Sequence, residues 1–300
     1  MDSLNRFIVT VVKFLPKSVV FPFAKKYIAG KTLDDAVRVV RQLNQKGIVA
    51  TLDVLGESIK NTSEAEETKN ECIRVLETID KEKLDANLSI KLTALGLAID
   101  KAYCHTLVRE IVGKAKELNN FVRIDMEDSP YTDLTLELYR DLRKDFNNVG
   151  IVLQAYLKRT LDDIENLKDL VPNYRLCKGI YIEPPTIAYK DRQKIRDNYV
   201  AALTKMFEYG SYVGIATHDK YLIDKAYGLI KEKNIPENRF EFQMLYGVTE
   251  YLRDKIKNDG HKIRIYVPYG KHWYPYSIRR MQENPEIAWY VTKSIFSFKK

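Results

Sequence analysis

Eight short apolar runs, each closing on a polar or charged residue and each followed by a stretch of helical character, organise nearly the whole chain. They are Ile48–Asp53, Asn87–Leu92, Phe121–Glu127, Gly150–Ala155, Tyr174–Gly179, Tyr212–His218, Phe240–Leu245 and Ile263–Pro268. Short apolar runs that alternate with helical patterns read as strand–helix units. Eight units in 300 residues predict an α/β fold, a (β/α)8 TIM-type barrel, whose usual size is about 250 residues. The reacting groups of such barrels lie where the strands end. That makes Asp53, Lys91, Asp125, Glu127, Gln154, Lys178, His218 and Gln243 the candidate site residues.

Residues 1–30 precede the first unit and form an N-terminal helical segment; residues 31–300 form the barrel. The N-terminal segment is apolar with interspersed lysines. It reads as a helix or two packed across the barrel, with an interfacial segment resting on lipid as the alternative. No apolar run reaches the roughly 18–20 residues that span a bilayer. Thr32 is placed to cap a helix over Leu33–Lys46 that Gly47 ends, and Ser63 with Glu66 resembles a capping box for a helix reaching Ile79. After the fifth run, Pro184 and Pro185 delay any helix until about Asp191, which leaves a long loop at a strand end where sites and lids are built.

A hydrophobic share of 45% with 30% charged residues suits a soluble globular core. Cys72, Cys104 and Cys177 are scattered and odd in number, which points to a reducing compartment rather than a disulfide framework. Four scattered histidines without HExxH or CxxC predict no metal site. The net charge of +8 has no nucleic-acid motif beside it, so it reads as a lysine-rich surface, or as attraction to an anionic substrate or membrane surface.

Lys91 sits among apolar neighbours, where an ammonium needs an anion or must lose its proton. An ion pair with Asp53 or Asp125 is the plain structural reading of it. On the final helix Arg279 and Arg280 are adjacent, with Tyr276 one turn before and Glu283 one turn after. Paired guanidiniums suit a carboxylate or phosphate. Lys91, Arg175, Lys178, Arg279 and Arg280 together describe a pocket for an anion. Neither GxGxxG nor GxxxxGK[ST] is present. From the residues alone the reaction class stays open between flavin redox chemistry and Schiff-base lyase or aldolase chemistry on Lys91 or Lys178. A non-catalytic binding barrel is a further alternative.

The segments YRLCKGIYIEP, ATHD, FEFQMLYG and YVPYGKHWYPYSIRR, with TLDVLGE, LSIKLTALG, VRIDMED and NVGIVLQAY before them, closely resemble the ordered motif series of monofunctional bacterial proline dehydrogenases. The resemblance runs from about Ala29 to Asn284 and touches every predicted strand. It implies a distorted barrel that holds FAD at the strand ends and oxidises L-proline to Δ1-pyrroline-5-carboxylate by hydride transfer from C5 to flavin N5. Arg279, Arg280 and Lys91 are then expected to bind the proline carboxylate, with Glu283 holding the arginine pair. Tyr266 is expected against the proline ring, and Asp125, Glu127 and Arg175 at the reacting end of the flavin. Met126, Gln154, Lys178, Gly179, Ile180, Thr217, His218 and Gln243 are expected to contact FAD.

The resemblance further implies a quinone acceptor and a cytoplasmic protein, with peripheral contact at the inner face of the membrane as an alternative placement. Three hundred residues leave no room for the aldehyde dehydrogenase domain of bifunctional relatives. A separate pyrroline-5-carboxylate/glutamate-semialdehyde dehydrogenase is therefore expected downstream. Two positions depart from the family pattern: Ile180 stands where a small residue is usual, and His272 where an aspartate is common.

Overall fold

The computed structural model describes residues 17–56 and 59–283. Eight parallel strands close on themselves in sequence order: β1 (Val49–Val54), β2 (Ala86–Ile90), β3 (Val122–Ile124), β4 (Val149–Gln154), β5 (Asn173–Cys177), β6 (Tyr212–Ala216), β7 (Phe240–Leu245) and β8 (Ile263–Tyr269). The ring shuts where Leu52 of β1 lies opposite Val267 of β8. The (β/α)8 barrel expected from the eight runs is the fold. Several runs stop earlier than their apolar pattern suggests. Lys91, Asp125, Glu127, Lys178, Thr217 and His218 all lie just past the last strand residue, where the chain turns outward and side chains leave the ladder.

The helices that follow the strands are α2 (Leu33–Asn44) before β1, then α3 (Thr62–Lys81), α4 (Lys101–Glu117), α5 (Thr132–Leu142), α6 (Thr160–Leu167), α7 (Arg192–Glu208), α8 (Lys220–Glu232), α9 (Glu250–Asn258) and α10 (Trp273–Glu283); α1 (Lys17–Ala24) precedes them all. The Thr32 capping box on α2 is complete. The proposed Ser63 box is not the start of α3: Asn61 caps that helix by accepting from Glu64 N at 3.0 Å. Glu66 instead accepts from the Tyr103 hydroxyl and from Lys69. Ser63 already lies inside the helix, whereas Asn61 keeps the extended backbone of a capping residue and so faces the free amides of the first turn. Asp191 caps α7, so the helix starts where the proline pair allows.

The main apolar core lies between sheet and helices. Leu52, Leu88, Ile124, Ile151, Leu176, Ile215, Phe242 and Ile265 meet residues such as Val40, Leu76, Ile111 and Leu203 there, all buried. Each such side chain contributes about 1.5–3 kcal/mol on burial. A smaller apolar cluster joins α1 to the C-terminal end of the strands: Val20, Ala24, Tyr27 and Ile28 pack with Leu55, Trp273, Tyr276 and Ile278, and Phe21 meets Trp273 at 4.9 Å between ring centres. Among the described residues no helix is long and apolar enough to cross a membrane. Cys72, Cys104 and Cys177 are free thiols.

Candidate active site

Alternation along a strand sends every second side chain to the barrel axis. In most barrels those layers are bulky and aliphatic. Here they are polar, and hydrogen bonds join strands that are not neighbours, which only the inside of a closed barrel permits. Arg175 of β5 reaches β2 and β7 at once: Nη1 donates to Ser89 Oγ at 3.1 Å and Nε to Gln243 Oε1 at 2.6 Å. The same Nη1 also donates to Asp125 Oδ1 at 2.8 Å. Lys91 donates to Asp53 at 2.8 Å, Asp125 at 3.5 Å and the Tyr266 hydroxyl at 3.2 Å. Tyr266 in turn donates to Asp125 at 2.8 Å, and Ser89 does so at 2.7 Å. The Arg175 guanidinium also lies over the Tyr266 ring, 5.2 Å from its centre.

Two cations and two carboxylates therefore share one nearly dry volume, and Asp53 is only 1% exposed. The two acids are unlike. Burial raises Asp53, partly opposed by Lys91, and the Asp125 charge raises it further. Burial also acts to raise Asp125, but Lys91 and Arg175 together hold it below the usual carboxylate range. Against burial, Asp53, Tyr266 and Asp125 hold Lys91 well above the ordinary lysine value. The ion-pair reading of Lys91 is thus the geometry observed.

Beneath this cluster a second polar layer fills the barrel. Gln243 Nε2 donates to Glu241 at 2.7 Å, and Arg264 Nε donates to the same carboxylate at 2.5 Å. Arg123 donates to the carbonyl and side chain of Asn173 and to Ile151 O at 3.3 Å. Burial and the neighbouring Arg175 push Arg123 down to about 9, so it stays charged at neutral pH. Two glycines make room for this layer. A Cβ at Gly150 would lie 2.5 Å from Arg123 Nη1, and one at Gly214 would collide with the Gln243 amide.

Of the other expected residues whose side chains are described, none joins this cluster. Glu127 turns toward the β2 loop, where it accepts from Thr93 N at 2.9 Å and from the Thr93 hydroxyl. Its own carbonyl accepts from Gln154 Nε2 at 2.8 Å. Met126 is buried in the main core. Thr217 Oγ1 accepts from Asp219 N at 3.1 Å. His218 Nε2 accepts from Leu245 N at 3.1 Å, so a neutral ring carries its proton on Nδ1, which donates to Thr249 Oγ1 at 2.8 Å. Arg279, Arg280 and Glu283 fall on the last turns of α10, and their side chains lie outside the described residues.

Lys178, at 3.5 Å, shares the carboxylate of Asp219 with Arg196 at 2.8 Å and Arg192 at 3.8 Å. Burial acts to raise Asp219, but these three cations lower it overall. The long loop after β5 is pinned rather than loose. Buried Glu183 accepts from Ser129 N and Oγ, each at 2.6 Å, and Lys158 N donates to Ile187 O at 3.0 Å. Gly179, at φ +105°, lies against the Tyr156 ring where no Cβ fits. Ile180 is half-exposed on this loop. Ser89, Glu241, Arg264 and Asp219 were not among the candidates read from strand ends. The first three stand on the polar side of strands already recognised, two residues from Lys91, Gln243 and Tyr266, and period-two alternation alone would have found them.

A family model described as proline dehydrogenase matches residues 36–292. The chain is similar to Proline dehydrogenase 1 of Bacillus subtilis subsp. natto, with 38% identity over 91% of this chain and 90% of that one. It is also similar to Proline dehydrogenase of Deinococcus radiodurans, with 36% identity over 95% and 93%. Among solved structures it is similar to proline utilization A from Bdellovibrio bacteriovorus, with a TM-score of 0.83 and 26% identity, over 88% of this chain and 33% of that one.

Proposed function

The chain belongs to the proline dehydrogenase family and oxidises proline, the first step of proline catabolism; on that premise we propose that C5 of L-proline gives up a hydride to N5 of FAD, leaving Δ1-pyrroline-5-carboxylate. The observation that carries this reading is the buried meeting of Lys91, Asp125, Arg175 and Tyr266 at the strand ends. A cyclic amino acid needs a cation for its carboxylate and an apolar wall for its ring. Lys91, with Arg279 and Arg280 from α10, supplies the first, and Tyr266 the second. Glu283 then steadies the arginine pair.

The residues present suit a flavin dinucleotide. Arg175 Nη2 is engaged by no described residue and remains a donor for a ligand. Lys178, Arg192 and Arg196 outnumber their one carboxylate, and they stand beside the N-terminus of α7, an arrangement suited to a pyrophosphate. When bound, FAD supplies the two-electron acceptor. Met126, Gln154, Gly179, Ile180, Thr217, His218 and Gln243 shape its surroundings. Glu127 acts through Thr93, fixing the loop that carries Lys91.

The substrate ammonium must lose a proton as the hydride leaves. Asp125 is held ionised by two cations and Asp53 is engaged by Lys91, so neither is a free base, and the proton goes to solvent. Catalytic efficiency then rises with pH from about 6 to 9 as the neutral amine gains population; a flat profile contradicts this. A Schiff-base lysine needs a neutral amine. The acids around Lys91 work against that, since they hold it protonated. In this reading a quinone takes the electrons onward, at the inner face of the cytoplasmic membrane, and a separate pyrroline-5-carboxylate/glutamate-semialdehyde dehydrogenase consumes the product.

The test is the visible spectrum of the purified protein before and after anaerobic L-proline. Flavin absorbance that bleaches supports the reading. Flavin that does not bleach refutes proline as the reductant, and a protein that takes up no FAD refutes the cofactor.

A further inference from the structure

Arg175 is held from two sides. Asp125 and Ser89 fix one arm, and the side-chain oxygen of Gln243 fixes Nε. A primary amide can present either its oxygen or its NH2 to a neighbour, and only the oxygen suits a guanidinium. At Gln243 that choice is made from below. Its Nε2 faces a carboxylate oxygen of Glu241 at 2.7 Å, and an ionised carboxylate only accepts. Glu241 is 1% exposed and stays ionised: burial acts to raise it, but Arg264 and Lys262, with the Gln243 amide, bring it down to about 2. Arg264 Nη1 is in turn tied to Ala50 O at 2.6 Å. A continuous line therefore runs down the barrel axis from Asp125 through Arg175, Gln243 and Glu241 to Arg264.

We infer that Glu241, acting through the Gln243 amide, is the positioning residue that sets the orientation of Arg175 and so aims its free Nη2 at the reacting end of the site. The inference rests on the redox reading above only for what Arg175 faces; the orientation itself belongs to the protein. Glu241 touches neither substrate nor cofactor. Removing its charge leaves the Gln243 amide tethered by Arg175 alone, so amide and guanidinium lose their fixed anchor in the lower layer and can shift together. Gly214 completes the device, because no side chain on β6 competes with the amide for that space.

The experiment uses the flavin-loaded full chain and two variants. Glu241→Gln combined with Arg264→Met removes both members of the lower ion pair, so no buried charge is stranded. Gln243→Met keeps that pair and removes the link to Arg175. The readouts are solvent exchange at the Arg175 Nε–H, followed by NMR and assigned with Arg175→Lys, and steady-state kinetics with proline. Both variants are expected to speed exchange at the Arg175 Nε–H while leaving the Arg196 Nε–H, tied to Asp219 at 3.0 Å, unchanged, and to lower kcat about tenfold with KM within about twofold. If the double variant does not fold, the single Glu241→Gln, which removes the charge and keeps an oxygen for Arg264 Nε, decides in its place. Wild-type exchange at Arg175 together with kcat within twofold of wild type overturns the inference. A wild-type protein whose flavin proline does not reduce would refute the functional reading instead, and the exchange measurement would still decide the orientation.

Discussion

The two faces of the same eight strands do different work. The helix-facing side chains, Leu88, Ile124, Leu176 and Phe242 among them, are apolar and fully buried. Any well-packed apolar set of similar volume would serve there. The axis-facing side chains are polar: Asp53, Ser89, Arg123, Arg175, Glu241 and Gln243 are buried too, and Asp125 and Arg264 are partly buried beside them. Burying charges carries a desolvation cost that their pairing offsets only when the geometry is good. Stability is thus concentrated outside the sheet and chemistry inside it. In this barrel the polar interior is continuous from the mouth down to Arg264, so the site has depth rather than being a ring of loops.

The largest expected effect separates the faces from the outside. Phe242→Ala empties a fully buried position next to Gln243 but on the opposite side of the strand. Unfolding free energy should fall by about 3–5 kcal/mol in denaturant titration, with kcat of the folded enzyme within about twofold. A large fall in kcat would mean the faces are not separable. From the inside, Arg175→Met removes the donor to Asp125, Ser89 and Gln243. The kcat/KM for proline should fall about 10²–10³-fold, the range for losing one aimed donor. Asp125 keeps Lys91 and Tyr266 as partners, so the fold survives for the measurement.

The outer face was the more legible of the two. The run Phe240–Leu245 is β7 to the residue, because a half-apolar strand advertises itself by alternation. The inner face was read only at its mouth. Lys91 is legible because an ammonium among apolar residues demands a partner, and Asp53 and Asp125 are its partners. Alternation puts Glu241 on the inner face, but its partner is not legible, since nothing local says that Arg264 stands opposite. Long-range ties were invisible for the same reason: Glu183 and Ser129 are 54 residues apart in sequence. Asn61 rather than Ser63 caps α3, a choice that turn geometry makes and residue type does not.

A smaller effect probes the space inside. Gly214→Ala places a methyl where the Gln243 amide lies, on a strand backbone that accepts alanine without strain. The expected cost is about 1–3 kcal/mol of stability, as for other overpacked positions, with a drop in kcat because Gln243 and hence Arg175 must shift. A stability loss with unchanged kcat would show that the interior layers are independent, and would narrow the comparison to the mouth alone.

The smallest expected effect decides on which side of the divide Glu127 falls. Its sequence position beside Asp125 suggests a reacting group, whereas its geometry is that of a clip: both oxygens serve Thr93, which lies on the loop that carries Lys91. Burial raises its pKa above the ordinary value, opposed by the Thr93 bonds and by Lys91. An acid raised on folding favours the protonated native state. Its contribution to stability is therefore full below about pH 4.5 and is lost as pH rises through the folded value. Glutamine at this position keeps one acceptor for Thr93 N, offers a donor to the Thr93 hydroxyl and removes the buried charge. Glu127→Gln should change stability at pH 7 by less than about 1 kcal/mol, in the stabilising direction, and flatten the pH dependence of stability above pH 4.5. The KM for proline should move by less than about threefold, because Lys91 is held where it was. A hundredfold loss of kcat would place the Glu127 carboxylate in the reaction itself and extend the chemical face of the barrel by one strand-end residue.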